Sequence, residues 1–77
     1  MTREELRQHD EYRVAMKKIR SYTPGFEFTL HYDRMPTPTA NALKIVMADA
    51  IQEGLLESIA IDLSIDLKQT AETFRRT

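Results

Sequence analysis

The sequence predicts a small α+β domain in the order α-β-α-β, and three patterns predict it. Ile59, Ile61, Leu63, Ile65 and Leu67 occupy every second position of residues 57–68, with Ser58, Ala60, Asp62, Ser64, Asp66 and Lys68 between them. An extended chain points successive side chains to opposite faces, so this stretch reads as a strand with one aliphatic and one polar side. Phe26, Phe28, Leu30 and Tyr32 alternate with Glu27, Thr29, His31 and Asp33 in the same way, which gives a first strand at about 25–33. Ala40, Leu43, Val46, Met47, Ala50 and Ile51 recur instead at helical spacing.

The first helix, about residues 3–22, begins at Thr2-Arg3-Glu4-Glu5, which fits a capping box. Tyr12, Ala15, Met16, Ile19 and Tyr22 fall on one face of it, Leu6 sits off that stripe, and Arg13, Lys17 and Arg20 point away. Pro24-Gly25 ends the helix, because proline disfavours a helical residue before it. After the first strand, Met35-Pro36-Thr37-Pro38-Thr39 forms a stiff connector in which Thr37 or Thr39 caps the second helix. That helix spans about 38–53 and stops before Gly54, a left-handed capping position. The second strand, about 57–68, follows, and Gln69 to Thr77 reads as a short polar tail.

A β-α-β unit in this order brings the two strands together in parallel through a right-handed crossover, with both helices on the aliphatic face of the sheet. Two strands alone leave unpaired edges and little to pack on, so the two-stranded sheet is expected to be extended by self-association. A homodimer is the simplest form of that association, although Asp62, Asp66 and Lys68 also read as edge protection.

The 77 residues make one domain, 1–77, near the lower size limit for an unaided core. There is no cysteine, which excludes disulfides and thiolate sites, and two histidines do not make a structural zinc site. Apolar residues are 42% and charged residues 30%, a balance that suits an ordered domain. The apolar runs are too short for a membrane span and the amino terminus opens with charges, so a cytoplasmic location is expected. Net charge is −1, which gives the whole molecule no bias toward nucleic acid or anionic lipid. The charges are nonetheless segregated: the first twenty residues are basic on balance, whereas Asp49, Glu53, Glu57, Asp62 and Asp66 occupy a stretch without Lys or Arg. One end suits an acidic partner and the other a basic one.

A competing reading of residues 57–76 is a helix-turn-helix, with a turn at Ser64 to Asp66 and a recognition helix from Leu67 to Arg76. Lys68, Gln69, Thr70, Arg75 and Arg76 are then the DNA-contacting residues, glutamine reading adenine and arginine reading guanine or phosphate. Gly54, three β-branched isoleucines and the absence of glycine from the turn favour the strand.

No constellation carries catalysis. Asp62, Ser64 and Asp66 open like a calcium loop, but Leu67 and Thr73 stand where glycine and a bidentate glutamate are needed. His31 beside Glu27 and Asp33 reads as an exposed strand histidine, and Phe26, Phe28 and Tyr32 as core residues instead of a base-stacking platform. The sequence therefore predicts a small non-catalytic interaction or regulatory protein without cofactor, probing its partners through Arg13, Lys17 and Arg20 or through a free sheet edge. Its expected partners are a second copy of itself and another protein, with DNA as the alternative.

Overall fold

A computed structural model describes residues 2–77 and shows a compact arrangement of helices with a three-stranded antiparallel sheet. The chain runs through α1 (Arg3–Arg7), α2 (Asp10–Ser21), β1 (Glu27–His31), a 3₁₀ turn (Tyr32–Arg34), α3 (Thr37–Gln52), β2 (Leu56–Leu63) and β3 (Gln69–Arg76). The sheet order is β1-β3-β2.

The region expected to form one helix is two. Thr2 caps α1 by accepting a hydrogen bond from the Glu5 amide at 3.1 Å, and the helix stops after Arg7. The break at Gln8 and His9 resets the helical phase, which is why Leu6, off the stripe of a continuous helix, is buried. From α2, Met16 and Ile19 enter the core, with Tyr12, Ala15 and Tyr22 packed around them. Helix α3 contributes Val46, Met47 and Ala50. No threonine side chain caps it; Pro36 occupies the cap position and its carbonyl accepts from the Ala40 amide at 3.0 Å.

The end of α3 is built as the sequence implies. Gly54 has φ +77°, its amide donates to the Ile51 carbonyl at 3.0 Å, and the Leu55 amide donates to the Ala50 carbonyl at 2.9 Å. These are the two bonds of a Schellman cap, and Leu55 lies against the core beside Ala50.

The sheet corrects the expected topology in one decisive place. Gln69–Arg76, expected as a polar tail, is β3, the central strand, and β1 and β2 pair with it from either side instead of with each other. The stretch looks polar because its charges are answered across the strands: Arg75 meets Glu57 at 2.6 Å and Glu27 at 4.0 Å. Thr73 Oγ1 meets Thr29 Oγ1 at 2.8 Å. Its apolar content is concentrated in two buried residues, Ala71 and Phe74. Phe74 is fully buried, stacks on Phe28 at 5.5 Å between centroids, and joins α2 and α3 to the sheet.

The second strand is also shorter than expected, ending at Leu63. Residues 64–68 turn the chain back into β3: the Ser64 amide donates to the Lys68 carbonyl and the Leu67 amide to the Ser64 carbonyl, both at 2.9 Å. The residues predicted to form a helix-turn-helix are thus a β-hairpin, and Leu67 to Arg76 contains no recognition helix.

Candidate interaction surface

The aliphatic alternation of β2 does not do what its pattern promises. Leu56 is buried, but Ile59 is 38%, Ile61 55% and Leu63 57% exposed, followed by Ile65 at 104% and Leu67 at 76% in the turn. Ile61 lies opposite Glu72, two residues from Phe74 on β3, so Ile61 shares the face that packs on the helices. Leu63 follows on that face by alternation, and Ile59 lies beside them in the register shift between Ser58 and Ala60. The helices cover only the end of the hairpin near Leu56 and Phe74. Beyond it the same face continues as an open aliphatic ledge on an outer strand of the sheet.

Two register shifts bound this ledge. One lies between Ser58 and Ala60, the other between Asp62 and Leu63. Such irregularities increase local twist and interrupt pairing, and proteins place them on outer strands. The far side of the sheet is closed differently: β1 has five residues, and Glu27, Thr29 and His31 stand exposed along it. The turn at the tip is ordered by Ser64, whose hydroxyl donates to the Asp66 carboxylate and accepts from the Lys68 amide. That hydrogen bond lowers the Asp66 pKa from its ordinary value. Leu67 sits at φ +65°, a conformation that favours glycine or asparagine, and its side chain is in the open.

The segregated charges of the sequence turn out to be partners of one another. Arg7 Nε and Nη2 each donate to an Asp49 carboxylate oxygen at 2.9 Å, and Tyr12 Oη donates to the same carboxylate at 2.7 Å. Asp49 is buried on α3, and this clasp ties α1 and α2 to it. The paired carboxylate raises the Arg7 pKa. The Tyr12 phenol is raised by burial first and by the hydrogen bond to Asp49 second. Arg20 reaches Glu53 at 3.4 Å along the same helix pair. Periodicity could not reveal Asp49, since an acidic residue at a core position of a helix signals itself only through a basic partner 42 residues away.

Glu72 forms a second polar knot. It accepts from Ser58 Oγ at 2.5 Å, Gln69 Nε2 at 2.9 Å and Tyr32 Oη at 3.4 Å. Burial, with the Glu72 charge second, raises the Tyr32 pKa well above its ordinary 10.0. Lys44 lies over the Tyr32 ring at 5.1 Å.

Of the residues singled out from the sequence, Arg13 and Lys17 are exposed on α2, and no ion pair involves them among the described residues. Arg20 is engaged by Glu53. The five alternative DNA-contacting residues do not form one helical surface: Lys68 lies 3.8 Å from Asp66 in the turn, Gln69 holds Glu72, and Thr70 Oγ1 donates to the Asp62 carbonyl at 3.2 Å. Arg75 bridges strands, and Arg76 Nη1 donates to the Leu55 and Thr77 carbonyls at 3.3 and 2.8 Å. His31 and Asp62 both flank Ala71 from opposite strands, two strand spacings apart, about 10 Å, and so do not meet. Among the described residues, no three His, Asp or Glu side chains are grouped to hold a metal ion, and no helix is long and apolar enough to cross a membrane.

An apolar concavity is present besides the ledge. A groove of about 670 Å³ runs between α1, α2 and the start of α3, lined by Leu6, Tyr12, Ala15, Pro38, Leu43 and Val46 among others. Among the described residues, titratable side chains reach it at His9, Glu11 and Tyr12, and Tyr12 is already spent on Asp49. Compared with protein-family profiles, curated proteins and solved structures, the chain matches none of them significantly.

Proposed function

We propose that this is a small non-catalytic binding or regulatory protein of the cytoplasm that acts as a homodimer through the outer edge of β2, its helices forming a layer on one face of the sheet. The observation that carries the reading is the ledge: Ile59, Ile61 and Leu63 have core spacing yet lie in the open on an outer strand. Burying an aliphatic side chain contributes about 1.5–3 kcal/mol. The strand edge beside the ledge offers main-chain donors and acceptors to an added strand. A solvated monomer gains from neither.

The non-catalytic part of the reading is supported by the state of the polar side chains. Where carboxylates and hydroxyls converge, at Asp49 and at Glu72, they are engaged with one another and join separate elements of the fold. Such clusters hold elements together without leaving a group poised for substrate. Arg13 and Lys17, exposed and one helical turn apart, support a second contact with an acidic protein partner. The absence of cysteine is compatible with the reducing compartment we assign.

Sedimentation velocity from nanomolar to high micromolar concentration tests the proposal. The expected result is a monomer that converts to a dimer within that range. A single monomeric boundary at every concentration would overturn the homodimer.

A further inference from the structure

We infer that two copies of this chain join β2 to β2 antiparallel about a two-fold axis at Ile61, making one six-stranded sheet. The inference rests on the homodimer just proposed and adds its register. In an antiparallel pair, a two-fold axis normal to the sheet passes between one residue and its own copy, so each possible register is named by its central residue.

The regular part of the edge is short, because the two register shifts confine it to residues 60–62, with Ile61 at its centre. With the residue at each bounding shift included, the order is Ile59, Ala60, Ile61, Asp62, Leu63, which is nearly the same read in either direction: aliphatic, short, Ile, short, aliphatic. Centring on Ile61 sets Ile59 opposite Leu63 of the second copy, Ile61 opposite itself, and Asp62 opposite Ala60. Every ledge residue then faces another, and each Asp62 faces a methyl group.

The neighbouring registers are worse for stated reasons. Centring on Asp62 sets two carboxylates directly opposite, which is destabilising. Centring on Ala60 sets Leu63 opposite Glu57, whose carboxylate is held by Arg75 at 2.6 Å, and runs the pairing through the bulge. Centring on Ile59 places the axis on that bulge. The other outer strand does not compete, since β1 is short and carries Glu27 and His31 on its exposed positions.

A second copy is favoured over a foreign strand because the five-residue span complements itself in apolar pattern and, in this register, keeps the two Asp62 carboxylates from facing each other. The chain has a small core, and its accessible surface is 5379 Å². A stable dimer of ordinary size covers roughly 800 Å² per partner. Strand pairing along the edge begins that area, and the ledge of each copy, continuous with the other's across the axis, extends it. The ledge then becomes the middle of an apolar strip between the helices of the two copies.

The chain contains no cysteine, so single substitutions report the register without background. Directly opposed residues have Cα atoms about 4.5–5.5 Å apart, within reach of a disulfide. Ile61→Cys should form a covalent dimer on mild oxidation, and an equimolar mixture of Ile59→Cys and Leu63→Cys should form the mixed dimer. Ala60→Cys or Asp62→Cys alone, with copies about 8 Å apart, should cross-link at least tenfold less. Ile61→Asp should sediment as a monomer with an unchanged circular dichroism spectrum.

A dimer in sedimentation that cross-links best at Ala60 or Asp62 would overturn the Ile61 register and leave the homodimer standing. A dimer that cross-links at none of the five positions and survives Ile61→Asp would show that another surface pairs. A monomer at all concentrations would overturn both inferences.

Discussion

The two ends of the β2–β3 hairpin are made of similar sequence and live in different surroundings. At the near end, Leu56 and Phe74 are sealed beneath Met16, Ile19, Val46, Met47 and Ala50. At the far end, Ile61 and Leu63 continue the same face, with Ile59 beside them, and the three stand 38–57% exposed. Alternation therefore assigns a residue to a face, whereas burial depends on how far the covering helices reach. Helix α3 ends at a Schellman cap and α2 at Ser21, so the cover stops before the hairpin does.

The largest expected contrast comes from truncating one side chain at each end. Phe74→Ala should cost about 3–5 kcal/mol by chemical denaturation, because a fully buried ring leaves a cavity. That is most of the stability of a domain this size, so a partly unfolded spectrum at 25 °C is an acceptable form of the result. Ile61→Ala, measured where the protein is monomeric, should cost about 1 kcal/mol or less. Equal costs at the two positions would mean that the ledge is covered in the monomer.

The clasp on α3 should show the next largest effect. Asp49→Ala removes a buried carboxylate that Arg7 and Tyr12 share, and should cost about 2–3 kcal/mol in the same denaturation experiment, given the strength of hydrogen bonds to charged groups. Tyr12→Phe removes one of those bonds and should cost about 1.5 kcal/mol.

Backbone conformation separates the near and far ends by sign. Gly54→Ala meets no atom within 4 Å, so its cost is that of holding a non-glycine residue at φ +77°, about 1–2 kcal/mol. Leu67 already occupies such a position, at φ +65°, in the turn of the exposed end. Leu67→Asn should therefore raise monomer stability, by about 0.5 kcal/mol, because asparagine tolerates that region. Thermal melts of the two variants against the parent check both directions.

The smallest effect is titration of Tyr32. Burial holds its phenol neutral and raises its pKa above the ordinary 10.0, so the folded state binds that proton more tightly than the unfolded state. The associated stability is complete below pH 10 and declines as pH rises from there toward the raised folded value. Tyr32→Phe should flatten the alkaline fall in unfolding free energy between pH 9.5 and 11 without altering its value near neutrality through this proton. An unchanged alkaline slope would show that the tyrosine ionises as freely in the folded chain as in the unfolded one.

Much of the local structure was legible. The Thr2 cap, the stop at Gly54, the inward Phe28 and Leu30 and the core positions Val46, Met47 and Ala50 follow from short-range chemistry, and each is found, whereas Phe26, also read as inward, precedes the strand and is exposed. The break after Arg7 was signalled only by Leu6 falling off the stripe. The central strand was missed because Gln69–Arg76 hides its role in pairings: its threonines and arginines are satisfied by Thr29, Glu27 and Glu57, residues known to be neighbours only once the strands are placed. Asp49 was read as surface charge for the same reason. Arg13, Lys17 and Arg20 were correctly placed outside, although Arg20 is occupied by Glu53.

By itself the sequence determined the stops at Pro24-Gly25 and Gly54, which residues alternate and which repeat every turn, since those properties depend on neighbours a few positions away. Tertiary structure alone decided that the carboxyl-terminal strand runs through the middle of the sheet, that oppositely charged segments close on each other, and that one aliphatic ledge stays open. Each of these depends on contacts between residues far apart in the chain, and on how far a helix extends over the sheet beneath it.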